Sequence, residues 1–344
     1  MIEQFARRLQ LKADRILLRG ARGIVLLYHR VADEMSDPYG LCVSPADFEE
    51  HLRVMRSEGD PMALLDLAAG LRTGSLPHRA ICVTFDDGYL DNLEHAEPLL
   101  QRYEVPATIF VTTGAAGRDR EFWWDELERI FLQPGRLPAS LELEISGQHR
   151  TWTLGHDTEY DRECQRRYRG WHLLDASAPT ARHTAFREIY QLLQPLDSEV
   201  RTGVVDELLS WAGQTSSMVR ASHRTMTPGQ VSALASGGLV EIGAHTVTHP
   251  ALPTLTAPEQ RVEIEHSKRE LEHWTGREVL GFAYPYGLYD ESAVIAARSA
   301  GFAYACSGIC EPVWRASDLF LFPRIEVTHR DREPFARRLR RYFQ

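Results

Sequence analysis

Two pairs of side chains could bind a metal ion. Asp86 and Asp87 directly follow the apolar residues 81–85, whose β-branched members predict a buried strand. Two adjacent carboxylates at such a strand end lose hydration and repel each other, and a cation beside them would remove that cost. His245 and His249 supply imidazoles four residues apart. Carboxylate and imidazole together are typical ligands of catalytic zinc.

The number of these side chains fits a hydrolytic metal site. Catalytic zinc takes three protein ligands and keeps one position open for water. In a helical turn both histidines would point the same way, and one of the two carboxylates would complete the set. The other carboxylate could take a proton from water that the metal has made more acidic. Two histidines at this spacing also occur by chance on surface helices, so the argument depends on the carboxylate pair.

Predicted strands and helices alternate in a way that would bring these residues together. The expected strands are 23–28, 81–85, 107–112, 239–243, 279–283, 302–306 and 320–327. The expected helices between them are 45–55, 64–71, 93–103, 258–275 and 292–300. This alternation is typical of a parallel sheet with helical crossovers.

Residues 130–222 interrupt the alternation. Their pattern predicts a β-hairpin from residues 141–145 and 150–154. Polar helical patterns follow at 160–168, 181–193 and 198–211. We interpret 130–222 as an insertion or lid.

The composition indicates a soluble globular protein. Of 344 residues, 43% are hydrophobic and 25% are charged. No apolar run reaches the roughly 18–20 residues that span a bilayer, and arginines interrupt any signal-peptide pattern. Five cysteines without paired CxxC units favour buried thiols in a reducing compartment, although Cys306 and Cys310 could share a helical face and bind metal. We expect a cytoplasmic protein.

The charge is unevenly distributed. Residues 1–30 hold seven basic and two acidic residues, and residues 324–344 hold seven basic and three acidic residues, although the whole chain has a net charge of −9. Basic helices are predicted at 1–22 and 331–344. They could lie on an anionic membrane at its inner face, or their basic faces could simply be solvated. The acidic remainder argues against a nucleic-acid partner.

Three short segments resemble the signature motifs of the polysaccharide deacetylases, the NodB-like carbohydrate esterases. Residues 84–88 (Thr-Phe-Asp-Asp-Gly) and 245–249 (His-Thr-Val-Thr-His) are similar to the first two motifs, and residues 284–287 (Tyr-Pro-Tyr-Gly) to the third. The similarity covers roughly residues 24–130 and 225–327.

The resemblance implies an α/β fold and a domain organisation. The fold is a distorted (β/α) barrel with its site at the carboxyl ends of the strands. Residues 23–129 and 223–330 would form the barrel, and residues 130–222 a large α/β insertion.

The resemblance also implies an activity and a set of ligands. The reaction is metal-assisted removal of an N-acetyl group from a sugar in a glycan or glycoconjugate precursor. Asp87, His245 and His249 correspond to the ligands of a divalent metal, Zn²⁺ first, with Co²⁺ or Ni²⁺ as alternatives. Asp86 corresponds to the general base. The acetylated sugar or glycan is the expected partner.

Two further residues of the third motif acquire roles in this way. The backbone N–H of Tyr286 would stabilise the oxyanion as water attacks the amide. The Tyr286 ring would face the acyl group of the substrate, and Pro285 beside it would also belong to the substrate-binding site.

Two positions depart from the family pattern. Ala283 replaces the arginine that usually lies two residues before the proline, and Arg324 could supply the charge from a late strand or form an ordinary salt bridge. The histidine of the last motif, which protonates the leaving amine, has no clear match. His29 could be this acid, a substrate contact or a structural rim histidine. His329 lies in a polar segment that we expect to be solvated.

An aromatic segment should also lie near the barrel rim, because it follows strand 107–112. Trp123 and Trp124 could stack on sugar rings while Asp125 binds hydroxyl groups. Alternatively, these side chains anchor the insertion by packing.

Other functions fit the same fold. One is a deformylase or another amidase, because an acetyl and a formyl group differ mainly in the room that they need beside Tyr286. Another is a catalytically inactive glycan-binding module, which the presence of the base and all three metal ligands disfavours.

Overall fold

A parallel sheet curved into a distorted barrel forms the centre of the protein. The computed structural model describes residues 23–343 except 76, 78 and 332, so the helix predicted for residues 1–22 lies outside the described residues. Along the chain the strands are β1 (Gly23–Tyr28), β2 (Arg30–Val31), β3 (Cys42–Val43), β4 (Asp60–Pro61), β5 (Ala80–Phe85), β6 (Ala107–Val111), β7 (Gly135–Arg136), β8 (Ser140–Ile145), β9 (Gln148–Thr153), β10 (Glu159–Tyr160), β11 (Val240–Ala244), β12 (Gly281–Ala283), β13 (Tyr304–Cys306) and β14 (Ile325–Glu326).

The order of the main sheet is β13-β12-β11-β6-β5-β1-β14, with β4 paired to β5, and every pairing in it is parallel. Helices connect these strands, as the alternating pattern predicts. They are α1 (Pro45–Glu58), α2 (Leu64–Thr73), α3 (Glu97–Tyr103), α4 (Trp123–Leu132), α5 (Arg162–Tyr168), α6 (Ala181–Leu193), α7 (Ser198–Trp211), α8 (Pro228–Ser236), α9 (Ala257–Thr275), α10 (Glu291–Ser299) and α11 (Phe335–Tyr342). The fold is therefore the expected (β/α) barrel.

The seam of the barrel differs from the sequence-based expectation. Residues 320–327 were expected to form one strand, but only Ile325–Glu326 is a strand, paired with β1. Upstream, Phe322 bridges to Cys306 at the opposite edge of the sheet. This segment therefore crosses from one sheet edge to the other, and Arg324 lies between the two pairings.

Alternate residues of the strands face two cores. Ile24, Leu26 and Val83 pack with helix residues such as Phe48 outside the barrel. Val25, Cys82, Phe110, Tyr304 and Phe322 pack inside it. The interior is filled by such side chains, and the acidic pair after β5 and the histidines after β11 lie at its carboxyl end.

The insertion has a core of its own. Its hairpin is Ser140–Ile145 paired with Gln148–Thr153, and its longer helices are α6 and α7. The core also includes Phe122, which precedes α4, and the apolar residues of α4, so the insertion packs on a helix that begins before residue 130.

The C-terminal basic helix is α11, shorter than the predicted 331–344. Leu339 is buried, and Phe335 stacks on His51 at 4.1 Å between ring centroids. The apolar side chains that could have entered a membrane thus contact the barrel. Within the described ranges, no helix is both long and apolar enough to cross a bilayer.

The two cysteines proposed as a metal pair are not on a helix. Cys306 is buried in β13, whereas Cys310 is exposed in the loop after it. All five cysteines are free thiols.

Candidate metal centre

The carboxyl ends of β5 and β11 bring together the residues that the sequence singles out. Asp86 and Asp87 directly follow β5, and His245 directly follows β11. Asp87 and Gly88 both have positive φ, +74° and +83°, so the chain turns sharply here. Glycine makes the second half of this turn possible without strain.

Asp87, His245 and His249 form a compact group of three potential metal ligands. One ligand atom from each lies within 4.8 Å of the others, and all three residues are buried. The Asp87 carboxylate lies 3.3 Å from Nε2 of His249 and 3.7 Å from Nε2 of His245. Zinc–ligand bonds of about 2.0–2.1 Å put the donor atoms of a tetrahedral site about 3.3–3.4 Å apart. The three side chains therefore fit a tetrahedral divalent ion.

Hydrogen bonding orients the His245 imidazole for metal binding. Nδ1 lies 2.8 Å from the carbonyl oxygen of Ala283, to which it can donate only as Nδ1–H. That tautomer leaves Nε2 with a free lone pair facing Asp87. Burial lowers the pKa of His245 to about 4, so the ring is neutral at pH 7, as a ligand must be.

The loop that carries the histidines is not the helical turn that their spacing suggests. Thr246 and His249 both have positive φ, and the His249 N–H donates to the Thr246 hydroxyl at 3.1 Å. Glu263 of α9 accepts three hydrogen bonds from this loop: from the N–H of Val247 (2.8 Å), the N–H of Thr248 (2.9 Å) and the Thr248 hydroxyl (2.7 Å). A remote carboxylate therefore fixes the loop between the two histidines.

Glu263→Ala is expected to weaken zinc binding by about 10- to 100-fold, the effect typical of losing a residue that orients metal ligands. Competition with a chromophoric chelator measures the dissociation constant. Glu265→Ala, on the same helix, is the matched control and should leave zinc affinity unchanged, because Glu265 pairs with Arg269. Equal affinities in the two variants would contradict this role of Glu263.

Asp86 is held by the arginine at the barrel seam. The two Nη atoms of Arg324 donate to its two carboxylate oxygens at 2.7 and 2.8 Å, and both side chains are buried. Burial raises the pKa of Asp86, but Arg324, followed by His245, lowers it to about 2. Arg324 therefore supplies the positive charge that is missing at position 283, where the family usually has an arginine and this chain has Ala283. The bidentate contact keeps the Asp86 carboxylate ionised and oriented.

A cleft of about 560 Å³ opens above these side chains. Among the predicted site residues, it is lined by Asp86, Asp87, His245, His249, Arg324, His29, Tyr286 and Trp124. The Tyr286 ring also packs on His249 at 4.6 Å. Pro285, Trp123 and Asp125 do not line the cleft, which corrects their assignment to substrate binding. His329 is exposed, as the sequence predicts, and its Nδ1 lies 3.2 Å from a carboxylate oxygen of Asp37.

Trp123 and Asp125 serve packing. The Trp123 indole stacks on Tyr190 at 5.1 Å. Asp125 is buried and accepts a hydrogen bond from the Tyr89 hydroxyl at 2.7 Å, and this hydroxyl accepts one from the Trp124 indole at 2.9 Å. Trp124 in turn lies 4.9 Å from the His249 ring. The aromatic segment therefore braces the metal centre.

The buried carboxyl of Asp125 should make stability pH-dependent. Burial raises the pKa of Asp125 more than the positive charges of Arg30 and Arg220 lower it, and the resulting pKa is about 8. The contribution of a group with a raised folded-state pKa is complete below its unfolded pKa of about 3.9 and is lost as pH rises through about 8. Asp125→Asn lacks this loss, so its unfolding free energy relative to wild type should rise by about 1 kcal/mol or more from pH 5 to pH 8. Urea denaturation at both pH values tests this, and a constant difference would contradict it.

Sequence reasoning missed the far wall of the cleft. Tyr39 and Leu41 come from the loop before β3, and the insertion contributes His172, Leu173, Leu174, Tyr190, Gln191 and Gln194. Glu326 also lines the cleft, together with Leu27, Gly287, Ser307, Gly308 and Cys310. No motif marks the residues of the far wall, because their position depends on how the insertion folds back over the barrel.

Comparisons with known proteins agree with this fold and identify the family. A family model described as Polysaccharide deacetylase matches residues 73–135 and 200–305, which contain Asp86, Asp87, His245 and His249. This match identifies the family of a barrel that carries a set of potential divalent-metal ligands at its carboxyl end. The chain belongs to the polysaccharide deacetylase family.

Two curated relatives align with parts of the chain. The putative polysaccharide deacetylase YxkH of Bacillus subtilis is 27% identical over 108 residues, 31% of this chain and 37% of that protein. A Staphylococcus aureus poly-β-1,6-N-acetyl-D-glucosamine N-deacetylase is 31% identical over 78 residues, 22% of this chain and 27% of that protein. The aligned regions thus span little more than a third of these relatives at most.

Solved structures share the fold over nearly the whole chain. The Streptococcus pyogenes deacetylase PplD in complex with acetate superposes with a TM-score of 0.57 and 17% identity, covering 93% of this chain and 97% of that one. IcaB from Ammonifex degensii has a TM-score of 0.55 and 18% identity, covering 90% and 94%. At this identity the likeness establishes the fold.

Proposed function

We propose that this protein is a metal-dependent hydrolase that removes the N-acetyl group from a sugar in a glycan. The observation that carries the proposal is a pair of neighbouring carboxylates with different closest partners, although Nε2 of His245 lies at similar distances from both, 3.8 Å from Asp86 and 3.7 Å from Asp87. Asp87 faces two imidazole nitrogens, whereas Asp86 is bound by Arg324 at 2.7 and 2.8 Å. One carboxylate can hold a metal while the other remains available for proton transfer.

The residues of the site can divide the work of amide hydrolysis. Asp87, His245 and His249 would hold the ion, which would polarise the acetyl carbonyl and make water more acidic. Asp86 would take the proton from the attacking water, and Arg324 would keep Asp86 ionised and aligned. As the C–N bond breaks, His29 at the cleft wall could protonate the leaving nitrogen, which departs as an amine together with acetate. The backbone N–H of Tyr286 would stabilise the negative oxygen.

Two observations bear on the acyl group and the metal. A relative is named for poly-β-1,6-N-acetyl-D-glucosamine, which favours an N-acetyl group over a formyl group. Two imidazoles and one carboxylate suit Zn²⁺, and Co²⁺ or Ni²⁺ accept the same donors. The five free thiols support a reducing compartment.

Acetate release tests the proposal. Protein loaded with one equivalent of Zn²⁺ is mixed with β-linked oligomers of N-acetylglucosamine, and acetate is measured by a coupled enzyme assay. Release should stop after chelation and return with added Zn²⁺. Release that survives exhaustive chelation would contradict the metal-dependent reaction. Hydrolysis of an N-formyl analogue alone would identify a deformylase.

A further inference from the structure

The cleft extends well beyond the metal centre, and its far wall belongs to the insertion. Gln191 lies in the last turn of α6, and Gln194 caps the C-terminus of the same helix. Residues three apart share a helix face, and both of these line the cleft. Two carboxamides thus face the same space as the metal ligands but come from a different part of the chain.

Both carboxamides are available to a ligand. Within the part of the chain that the structure describes, neither side chain is hydrogen-bonded to another residue. Gln191 is exposed and Gln194 is half-buried. A carboxamide offers two donors and one acceptor oxygen, which match the hydroxyl groups of a sugar.

Aromatic contacts fix the helix end that presents them. Tyr190, next to Gln191, packs between Trp123 at 5.1 Å and Tyr39 at 5.3 Å. The Tyr39 hydroxyl donates to the carbonyl oxygen of Trp124 at 2.9 Å. Because Trp124 also packs on His249, the wall and the metal centre are held in one arrangement. A preorganised wall loses little entropy when a ligand binds.

The charge of the cleft indicates what kind of group this wall accepts. Among the described residues of the lining, Arg324 is the sole lysine or arginine, and Asp86 already occupies its guanidinium. The exposed carboxylate of Glu326 lies in the same lining. A phosphate would meet no free arginine or lysine here, and the carboxylate of Glu326, which adds to those of Asp86 and Asp87, would repel it. The lining favours an uncharged sugar over a nucleotide-linked or phosphate-linked one.

We propose that Gln191 and Gln194 form a second sugar-binding subsite, for an uncharged sugar unit next to the one that is deacetylated. This inference rests on the proposed deacetylase function. It makes the insertion a specificity element, since the subsite favours oligomeric substrates over a single sugar.

The test compares a long and a short substrate in the zinc-loaded protein. The double variant Gln191→Ala/Gln194→Ala should raise KM for N-acetylglucosamine oligomers by about 10- to 50-fold, because each neutral hydrogen bond is worth roughly three- to tenfold. Hydrolysis of 4-nitrophenyl acetate, which needs only the metal centre, should remain unchanged. The exposed glutamine of α3 gives the matched control, Gln101→Ala, which should behave as wild type.

A binding measurement separates recognition from turnover. In an Asp86→Asn background, calorimetric titration with the oligomer should show the same 10- to 50-fold loss on adding the two substitutions. Equal KM and equal affinity with and without the two glutamines would overturn the subsite while leaving the deacetylase function intact. If wild type releases no acetate from any oligomer, the function and the subsite both fail. A rise in ester KM equal to the rise in oligomer KM would also overturn the subsite, because the effect would then lie at the metal centre.

Discussion

Asp86→Asn is expected to lower kcat for acetate release by about 10²- to 10⁴-fold, the usual contribution of a general base. The asparagine keeps the size of the side chain and one oxygen for Arg324, but it cannot accept the proton from water. Zinc binding should persist at one equivalent, because Asp87, His245 and His249 form the ligand group without Asp86. Acetate release and metal content are measured on the same sample.

Two comparisons make the Asp86 result specific. Asp119→Asn changes an exposed aspartate outside the cleft and should leave kcat and zinc content unchanged. Circular dichroism and urea denaturation of Asp86→Asn establish that the lost activity is measured on folded protein. Activity within tenfold of wild type, with zinc bound, would show that Asp86 is not the base.

The positions of the potential metal ligands could be predicted because they follow from local rules. Apolar β-branched runs predict β5 and β11, and parallel strands of one sheet end at the same edge. The acidic pair after β5 and the histidines after β11 must therefore meet. The conformation of the histidine loop could not be predicted, because Glu263 fixes it from α9 by contacts remote in sequence.

Two other features depend on tertiary structure in the same way. Residues 320–327 read as one strand because their apolar pattern carries no sign that they cross between sheet edges. The cleft wall formed by Gln191 and Gln194 follows from the packing of Tyr190 on Trp123 and Tyr39. Trp123 and Asp125 were misassigned for a related reason, since an aromatic or acidic residue near a rim can face either the cleft or the core.

Arg324→Met is expected to lower the unfolding free energy at pH 7 by about 3–5 kcal/mol, the cost of leaving one charge of a buried pair without its partner. Methionine fills much of the buried volume of the arginine but carries no positive charge. The Asp86 carboxylate would therefore remain in the barrel interior without its partner. The variant should also lose most acetate release, because the base is no longer held ionised and aligned. Arg340→Met, which removes an exposed pair with Glu58, should cost no more than about 1 kcal/mol.

The pH dependence of that loss distinguishes a broken ion pair from poor packing. In wild type the pKa of Asp86 is lowered to about 2, so its stabilising contribution is complete above the unfolded pKa of about 3.9 and is lost as pH falls through about 2. Without Arg324, burial dominates and raises the pKa, so Asp86 takes up a proton at a higher pH and the unpaired charge disappears. Measured on metal-free protein, the stability deficit of Arg324→Met should therefore shrink as pH falls from 8 to 5.

The deficit should also largely vanish in the double variant Asp86→Asn/Arg324→Met, where neither charge of the buried pair remains. A deficit that is the same at both pH values and in both backgrounds would mean that Arg324 contributes packing alone, and the bidentate contact would then have no part in holding the base.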